Sequence, residues 1–222
     1  MPNLPLDRVI CGDASRVLSK LPSRSIDLIV TDPPYGDNVS YGPKNVRIVG
    51  NEHPLLALSV MSLSYHLLKR DSTTYMFCSM RHLDFVRAFF ARYTHFRLRE
   101  VIIWDKMTMN VGPAFRKQYE CIIALEKGRP VYRDPRMLNL ISVRRIRDRR
   151  HPHAKPVELI KLLINHSSEE GAVVLDPFLG TGTTALAAHE MGRHFIGIEL
   201  DDDYCRIARA RLAVLPLRAS RI

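Results

Sequence analysis

Short apolar runs alternate with amphipathic stretches along almost the whole chain, and this alternation limits the fold more than any other feature. The predicted strands are SIDLIV, TTYMFC, RLREVIIW, YECIIAL, AVVLD and HFIGIEL, each short and several rich in β-branched residues. The predicted helices lie at about 14–21, 53–69, 81–92, 156–167, 183–191 and 202–215. This pattern indicates an α/β fold, a doubly wound, mostly parallel sheet covered on both faces. Ligands of such sheets bind at the carboxyl ends of the strands.

The chain of 222 residues is long enough for one substantial core, so residues 1–222 are predicted to form a single domain. No apolar stretch approaches the length of a membrane span, and the N-terminal MPNLPLDRV lacks the apolar core of a signal peptide. We therefore expect a cytoplasmic protein without a membrane partner. The four cysteines are scattered without a CxxC pair, and we expect all four to be reduced and no metal to be bound.

Basic residues outnumber acidic ones, 33 against 23, which gives a formal net charge of +10 and a pI of about 9.7. This excess favours a polyanionic partner, because neutralising phosphates releases counterions and contributes much of the affinity for nucleic acids. Charge alone leaves open the alternative that the protein is merely basic.

The sequence TDPPYG follows directly after the predicted strand SIDLIV. It delivers a carboxylate (Asp32), two prolines (Pro33 and Pro34) and an aromatic ring (Tyr35) to the end of a buried strand. Asp-Pro is a common start of a turn, so a purely structural role is one interpretation. A turn alone does not need this combination, and the step is rigid and rich in acceptors because proline has no N–H and a fixed φ.

A glycine-rich turn follows the predicted strand AVVLD, which ends at Asp176. Gly180 and Gly182 let the backbone approach a ligand closely, and the next strand ends about twenty residues later at Glu199. A nucleoside-triphosphate loop is excluded because no lysine follows the glycines. A dinucleotide fingerprint nearly fits, but Asp176 would lie close to a pyrophosphate. A cationic or zwitterionic adenosine ligand fits better, and a turn that only reverses the chain is the bland alternative.

Together, DPPY and the downstream DPFLGTGTT resemble the S-adenosylmethionine-dependent amino methyltransferases of DNA, in the motif order of their beta class. The resemblance extends to CGDASRVLSKLPSRSIDLIVTDPPYG, VIIWDK, FRKQYECIIALEKG and HPHAKPVELIKLLI, and so covers nearly the whole chain. It implies a Rossmann-like methyltransferase fold whose catalytic half comes first. It also implies S-adenosylmethionine as the methyl donor and double-stranded DNA as the partner. Adenine N6 is the favoured target, because DPPY goes mostly with adenine and SPPY with cytosine N4 in this family.

The resemblance also implies roles for single residues. The loop around the methionine moiety would be formed by Asp176, Pro177, Phe178, Gly180, Gly182 and Thr183. Glu199 would hold the ribose hydroxyls, and Asp13 would contact the adenine end of the cofactor, although GDAS equally fits a helix cap. Lys155 would flank the cofactor, with an ordinary solvated helix-start residue as the alternative.

The target-base pocket would be formed by Asp32, Pro33, Pro34 and Tyr35. An exocyclic amine is a poor nucleophile because its lone pair is delocalised, and two acceptors aimed at its hydrogens localise that pair. Asp32 and the carbonyl of Pro33 can supply them, and Tyr35 offers a face for stacking an extruded base. The pair Tyr119 and Glu120 is a further candidate for lining this pocket, but a strand residue with its flanking charge is the simpler interpretation.

The segment 128–151 is rich in arginine and proline, and we interpret it as an excursion from the core that serves as a short target-recognition region. The DNA-binding candidates within it are Arg144, Arg145, Arg147, Arg149 and Arg150. A homodimer and a restriction-system partner are further partners to consider. The open alternatives are cytosine N4 methylation, RNA base methylation, a non-catalytic DNA-binding module and an NAD-linked oxidoreductase.

Overall fold

In a computed structural model of the chain, the described residues are 4–34, 40–41, 46–47, 54–108, 115–146 and 154–215. Eight strands within these residues form one sheet. They are β1 (Arg8–Cys11), β2 (Ile26–Thr31), β5 (Leu68–Cys78), β6 (Arg97–Asp105), β7 (Tyr119–Lys127), β8 (Leu140–Ser142), β9 (Val173–Asp176) and β10 (His194–Glu199). Two further strands, β3 (Ser40–Tyr41) and β4 (Val46–Arg47), form a separate antiparallel pair.

The order of strands across the sheet is β1-β10-β9-β2-β5-β7-β6-β8. Neighbouring strands are parallel except where β7 pairs with β5 and β6, so among the described strands of this sheet only β7 is reversed. The predicted mostly parallel sheet is confirmed. From β9 the chain moves to β10 in one direction, and from β2 it moves to β5 in the other. The boundary between β9 and β2 is therefore the switch in strand order, where a ligand site is expected.

Helices cover both faces of the sheet. They are α1 (Ala14–Leu18), α2 (Leu55–Ser64), α3 (Leu83–Tyr93), α4 (Val157–Ser167), α5 (Thr183–Glu190) and α6 (Asp202–Ala213). The first three pack on one face and the last three on the other, each set with its own buried apolar cluster. The apolar residues of β2 form a continuous run because the strand is buried on both faces. Leu28 and Val30 belong to one cluster, and Ile26 and Ile29 belong to the other.

Strand β8 corrects part of the interpretation of segment 128–151. This strand pairs in parallel with β6 at the edge of the sheet, and Ile141 is buried in one of the two apolar clusters. The segment is therefore not wholly an excursion from the core. Leu140 and Ser142 on either side are exposed, so a three-residue edge strand with one buried side chain leaves no periodic signal in the sequence.

The boundary between α2 and β5 also differs from the prediction of a helix over 53–69. The helix ends at Ser64 and the strand begins at Leu68. After the buried Leu68, strand β5 continues with an exposed polar stretch over residues 69–71, in which Asp71 has a left-handed φ of 59°. The register with β2 shifts near this stretch, which explains why an alternating strand pattern is absent there.

The expectation that all four cysteines are reduced is wrong for one pair. Cys11 and Cys205 are joined as a disulfide, with their Cα atoms 6.1 Å apart, whereas Cys78 and Cys121 are reduced and buried. The pairing joins the end of β1, a strand that the sequence pattern does not predict, to α6, and the two cysteines are 194 positions apart. Nothing in their spacing could indicate it. Across the described ranges, no helix is both long and apolar enough to cross a membrane.

Candidate active site

Two strand ends meet at the switch in strand order. The Thr31 hydroxyl, at the end of β2, donates a hydrogen bond of 2.7 Å to Oδ1 of Asp176, at the end of β9. Both side chains are buried. Because Thr31 immediately precedes Asp32 and Asp176 opens the glycine-rich turn, the two sequence motifs lie at the same edge of the sheet. This is the arrangement that a shared site requires.

The glycine-rich turn is fixed by contacts at both of its ends. The Phe178 amide donates to Asp176 Oδ1 at 3.0 Å, and the Leu179 amide donates to the carbonyl of Ile198 in β10 at 2.8 Å. The Leu179 side chain lies against Gly197, where an added Cβ would collide with it. Since β10 has no side chain at this position, the turn can lie close against the sheet.

Helix α5 begins directly after Gly182, whose φ of 88° is left-handed. Glycine adopts this conformation without the strain that a side chain would add. A Cβ at this position would also lie 3.0 Å from the Cβ of Ala208 in α6. The turn therefore depends on glycine here for two separate reasons, backbone conformation and close helix packing.

Glu199 is held at the end of β10 by hydrogen bonds from backbone amides. Its Oε2 accepts from the Gly180 amide at 2.7 Å, and its Oε1 accepts from the Asp201 amide at 2.9 Å. Burial raises the pKa of Glu199 above its ordinary value, although these backbone hydrogen bonds oppose the shift. A carboxylate has about four lone-pair positions, so both oxygens keep acceptor capacity for a ligand.

Asp32 belongs to a chain of alternating charges at the same edge. Lys155 Nζ lies 2.5 Å from Oδ2 of Asp32 and 3.2 Å from Oε2 of Glu120. Oε1 of Glu120 is in turn 3.0 Å from Nζ of Lys106. We call these four side chains the four-charge network. Glu120 reaches this edge because β7 is reversed, which places the start of that strand beside the carboxyl ends of its neighbours.

Pro33 and Pro34 line a small, open, apolar pocket between the DPPY motif, the end of β5 and helices α2 and α3. The other lining residues are Pro54, Ala57, Leu58, Met76, Phe77, Cys78, His82 and Val86. Tyr35, predicted to stack the target base, lies outside the described residues. The two prolines thus lie at the end of the sheet beside Asp32, as the sequence predicts.

A family model described as a DNA methylase matches residues 26–144 and 132–210, most of the chain. The chain belongs to this family of DNA amino methyltransferases. Its relatives include the Escherichia coli (strain K12) protein YubD, named as a methylase, at 31% identity over 212 residues, 95% of this chain and 92% of YubD. The DNA adenine methyltransferase YhdJ of the same organism is 27% identical over 244 residues, 93% of this chain and 82% of YhdJ.

Solved structures agree with the fold of this methyltransferase. TTHA0409 of Thermus thermophilus, named as a DNA modification methylase and solved with S-adenosyl-L-methionine, is 26% identical with a TM-score of 0.68. The similarity covers 93% of this chain and 94% of that one. The cytosine-N4-specific PvuII DNA methyltransferase has a TM-score of 0.75 at 18% identity, over 96% of this chain and 87% of that one. At that identity, the likeness to PvuII concerns the fold.

S-adenosylmethionine is the cofactor of this methyltransferase, and the residues at the switch point fit it. Burial raises the pKa of Asp176 to about 6, against hydrogen bonds from Thr31, Thr184 and the Phe178 amide, and the nearby charge of Asp32 adds to the rise. A buried carboxylate of this kind is suited to a positively charged amino group. Glu199 supplies further acceptors, and the turn carries no lysine that would favour a polyphosphate.

Two predicted cofactor residues have other contacts. Oδ1 of Asp13 accepts from the Arg16 amide at 2.9 Å and so caps α1, which is the structural alternative considered for it. The amide of Gly12 donates to the carbonyl of Glu199, which keeps Asp13 beside the end of β10. Lys155 contacts Asp32 and Glu120 in the catalytic half. The roles of Asp13 and Lys155 toward the cofactor stay predictions.

The predicted DNA-binding arginines are only partly within the described residues. Arg144 is exposed after β8, and Arg145 is half-buried with its amide bonded to the carbonyl of Lys106 at 3.0 Å. The remaining three candidates, Arg147, Arg149 and Arg150, lie outside the described residues. Arg145 therefore ties this segment of the methyltransferase to the end of β6, next to the four-charge network.

Sequence reasoning missed Thr31 and Lys106 and gave Glu120 only a flanking role. Each of the three lies within one or two positions of a strand boundary at the active-site edge. A polar residue at the end of an apolar strand indicates a site residue, and this signal would have been sufficient to identify Thr31. For Glu120 the signal depended on knowing that β7 is reversed, and the apolar pattern of a strand carries no direction.

Proposed function

We propose that this methyltransferase modifies the N6 amine of adenine in a short sequence of double-stranded DNA. The observation that carries the proposal is the hydrogen bond between Thr31 and Asp176, since it brings the DPPY motif to the turn suited to the cofactor. Adenine is favoured because the motif begins with Asp32 rather than serine. The relative YhdJ, named as an adenine enzyme, supports the same target.

The cofactor would be held by groups at the ends of β9 and β10. Asp176 would accept hydrogen bonds from the amino group of the methionine moiety, and Glu199 would accept from the ribose hydroxyls. Gly180 and Gly182 would allow the backbone to follow the ligand closely. When bound, S-adenosylmethionine supplies an electrophilic methyl group on a sulfonium, whose sulfur keeps the bonding electron pair.

Asp32 and the Pro33 carbonyl would accept the two hydrogens of the target amine and localise its lone pair toward the methyl carbon. Tyr35 would stack the extruded base, which contributes roughly 1–3 kcal/mol. The principal work of these groups is alignment of the nitrogen at near-attack distance. The amine becomes acidic once the N–C bond has formed, so its proton departs to water late and orientation by Asp32 is sufficient.

DNA would be contacted by the segment that follows β8. Arg144 is exposed there, and arginine suits both phosphate oxygens and guanine edges. The net charge of +10 supports a polyanionic partner for the chain as a whole. Because segment 128–151 is short for a recognition region, we expect the recognised sequence to be short as well.

The decisive experiment incubates the purified protein with S-adenosylmethionine and a mixed-sequence DNA duplex, then analyses the nucleosides by mass spectrometry. N6-methyladenine in the duplex is the expected product, and single-molecule sequencing of the same DNA gives the recognised motif. Parallel reactions use single-stranded DNA and RNA of the same sequence. Methyl groups on cytosine, or transfer to RNA alone, would overturn the proposal, and each outcome identifies the alternative that replaces it.

A further inference from the structure

The four-charge network connects the proposed catalytic carboxylate to three side chains to which the methyl-transfer chemistry assigns no part. Asp32 follows β2, Lys155 precedes α4, Glu120 lies in β7 and Lys106 follows β6. The four groups therefore come from four separate segments of the chain and meet at the active-site edge. Their formal charges alternate in sign along the network and sum to zero.

The two lysines of the four-charge network are more buried than its two carboxylates. The side chains of Lys106 and Lys155 are 6% and 9% exposed, whereas those of Glu120 and Asp32 are 24% and 27% exposed. Burial alone would raise the pKa of Glu120, but the two lysines lower it to about 2. Burial alone would lower the pKa of Lys155, but Asp32 and Glu120 together raise it. Both groups are therefore charged throughout the neutral pH range.

The four-charge network contributes little to the stability of the fold by itself. Removing charges from water costs about as much as their mutual attraction returns, so well-packed apolar side chains of similar volume would serve the fold equally well. An ion network that ends on a reactive carboxylate is better explained by what it does to that carboxylate. The presence of four charges at this edge therefore indicates a role in the reaction.

Lys155 is held from several sides, and that makes it suitable for fixing another group. Its Nζ lies between the carboxylates of Asp32 and Glu120 and 5.0 Å from the centre of the Phe77 ring. Pro156 follows immediately and restricts its backbone. Lys106 holds Glu120 from the far side, so the Glu120 carboxylate that anchors Lys155 cannot turn easily. The orientation of the Asp32 carboxylate is fixed by this chain of contacts.

We propose that Lys155 and Glu120 are positioning residues for methyl transfer, acting through Asp32, with Lys106 holding Glu120 in place. The inference rests on the proposed role of Asp32 as an acceptor for the target amine. It replaces the prediction that Lys155 serves the cofactor with a role on the substrate side. The atoms that react are unchanged, and what the network supplies is the alignment of one acceptor.

The test compares Lys155→Met and Glu120→Gln with the unmodified protein in kcat, in KM for DNA and in the dissociation constant of S-adenosylmethionine. We expect kcat to fall on the order of 100-fold for Lys155→Met and roughly tenfold for Glu120→Gln, since small misplacements of reacting groups cost this much. We expect cofactor affinity to change by less than about threefold, because neither group is proposed to touch the cofactor. Urea unfolding monitors the fold of each variant.

Lys161→Met is the matched control. Lys161 lies on the same helix, α4, and makes an ion pair of 2.5 Å with Glu190, but on an outer surface where its side chain is 33% exposed. The kcat of the Lys161→Met variant should equal that of the unmodified protein. If Lys155→Met does not fold, the result for Glu120→Gln decides the question, because glutamine keeps the shape of the side chain and one acceptor oxygen while removing its charge.

A second comparison separates this inference from the proposed function. In single-turnover reactions, Lys155→Met should cause no further loss in an Asp32→Asn background, because Lys155 acts only through Asp32. Full activity of Asp32→Asn would defeat the proposed role of Asp32 itself. If Asp32→Asn is impaired while Lys155→Met and Glu120→Gln keep their kcat, only the positioning role is lost. If Lys155→Met bound S-adenosylmethionine more weakly at unchanged kcat, Lys155 would instead be a cofactor-binding residue.

Discussion

Thr31 and Asp176 lie on neighbouring parallel strands, and the 2.7 Å hydrogen bond between them joins the DPPY motif to the glycine-rich turn. The bond also helps to lower the pKa of Asp176, which burial raises to about 6. The same contact thus influences both the geometry of the site and the charge of a group proposed to bind the cofactor.

Thr31→Val removes this hydroxyl while keeping the shape of the side chain. The pKa of Asp176 should rise further, so its proposed bond to the cofactor amino group should weaken. We expect roughly tenfold weaker S-adenosylmethionine binding near pH 6.5 and a smaller effect at pH 8.5, measured by calorimetry. Thr94→Val, which removes a hydroxyl bonded to the Phe90 carbonyl in α3, is the control and should leave binding unchanged. A pH-independent effect would argue against the electrostatic explanation.

Asp176→Asn should stabilise the protein while impairing cofactor binding. The folded pKa of about 6 lies above the ordinary value of 3.8, so ionisation of Asp176 costs stability, and the cost grows as pH rises from about 4 to 6. Asparagine avoids this cost, and we expect a gain of about 2–3 kcal/mol in urea unfolding at pH 8. The gain should shrink to about half at pH 5 and disappear below pH 4. An equal gain at every pH would contradict this account.

Asp32→Ala should abolish methyl transfer and leave cofactor binding intact. The target amine loses one of its two proposed acceptors, and a loss of kcat on the order of 100-fold or more is expected. Transfer of a labelled methyl group to duplex DNA measures the first effect, and calorimetry with S-adenosylmethionine measures the second. Loss of cofactor binding in a folded variant would be incompatible with the role assigned to Asp32.

Gly182→Ala tests the two demands on the glycine-rich turn, and Gly171→Ala is its matched control. Both glycines have left-handed φ, 88° and 82°, but an added Cβ meets Ala208 at Gly182 and meets nothing within 4 Å at Gly171. We expect Gly171→Ala to cost about 1 kcal/mol in unfolding free energy and Gly182→Ala about 1–2 kcal/mol more. Only Gly182→Ala should weaken cofactor binding. Equal costs would mean that helix packing at Ala208 is tolerant.

Arg144→Ala tests the proposed DNA contact after β8. Loss of one phosphate contact should weaken binding to all duplex sequences alike and reduce the slope of log K against log salt by about 0.9. Arg92→Ala is the control, because Arg92 is exposed in the last turn of α3, which leads into the start of β6, whereas Arg144 follows β8 beside the end of β6. An effect confined to one DNA sequence would instead indicate base recognition by Arg144.

The strands that carry the cofactor turn could be predicted because they are buried on both faces. β2, β9 and β10 present continuous apolar runs, and each ends at or next to a carboxylate. Their alternation with helices predicted a mostly parallel sheet, whereas the order of the strands was not predicted. For the same reason the meeting of Asp32 and Asp176 was foreseeable, since neighbouring parallel strands end at one edge.

The elements that escaped prediction are those whose burial depends on distant partners. β1 is four residues long, and its pairing with β10 joins segments from the two ends of the sequence. β8 has one buried side chain. The disulfide between Cys11 and Cys205 and the ion pair between Lys155 and Asp32 likewise join positions far apart in the chain. Local periodicity contains no information on such contacts.

The reversed strand has a consequence for protein engineering. Lys106 and Glu120 are 14 positions apart and come from one hairpin, formed by β6 and β7. A chimaera that exchanges this hairpin as a unit carries both charges into its new host and preserves their balance. A crossover placed between the two strands would separate a buried cation from its counter-ion. Residues 97–127 are therefore best transplanted as a single block.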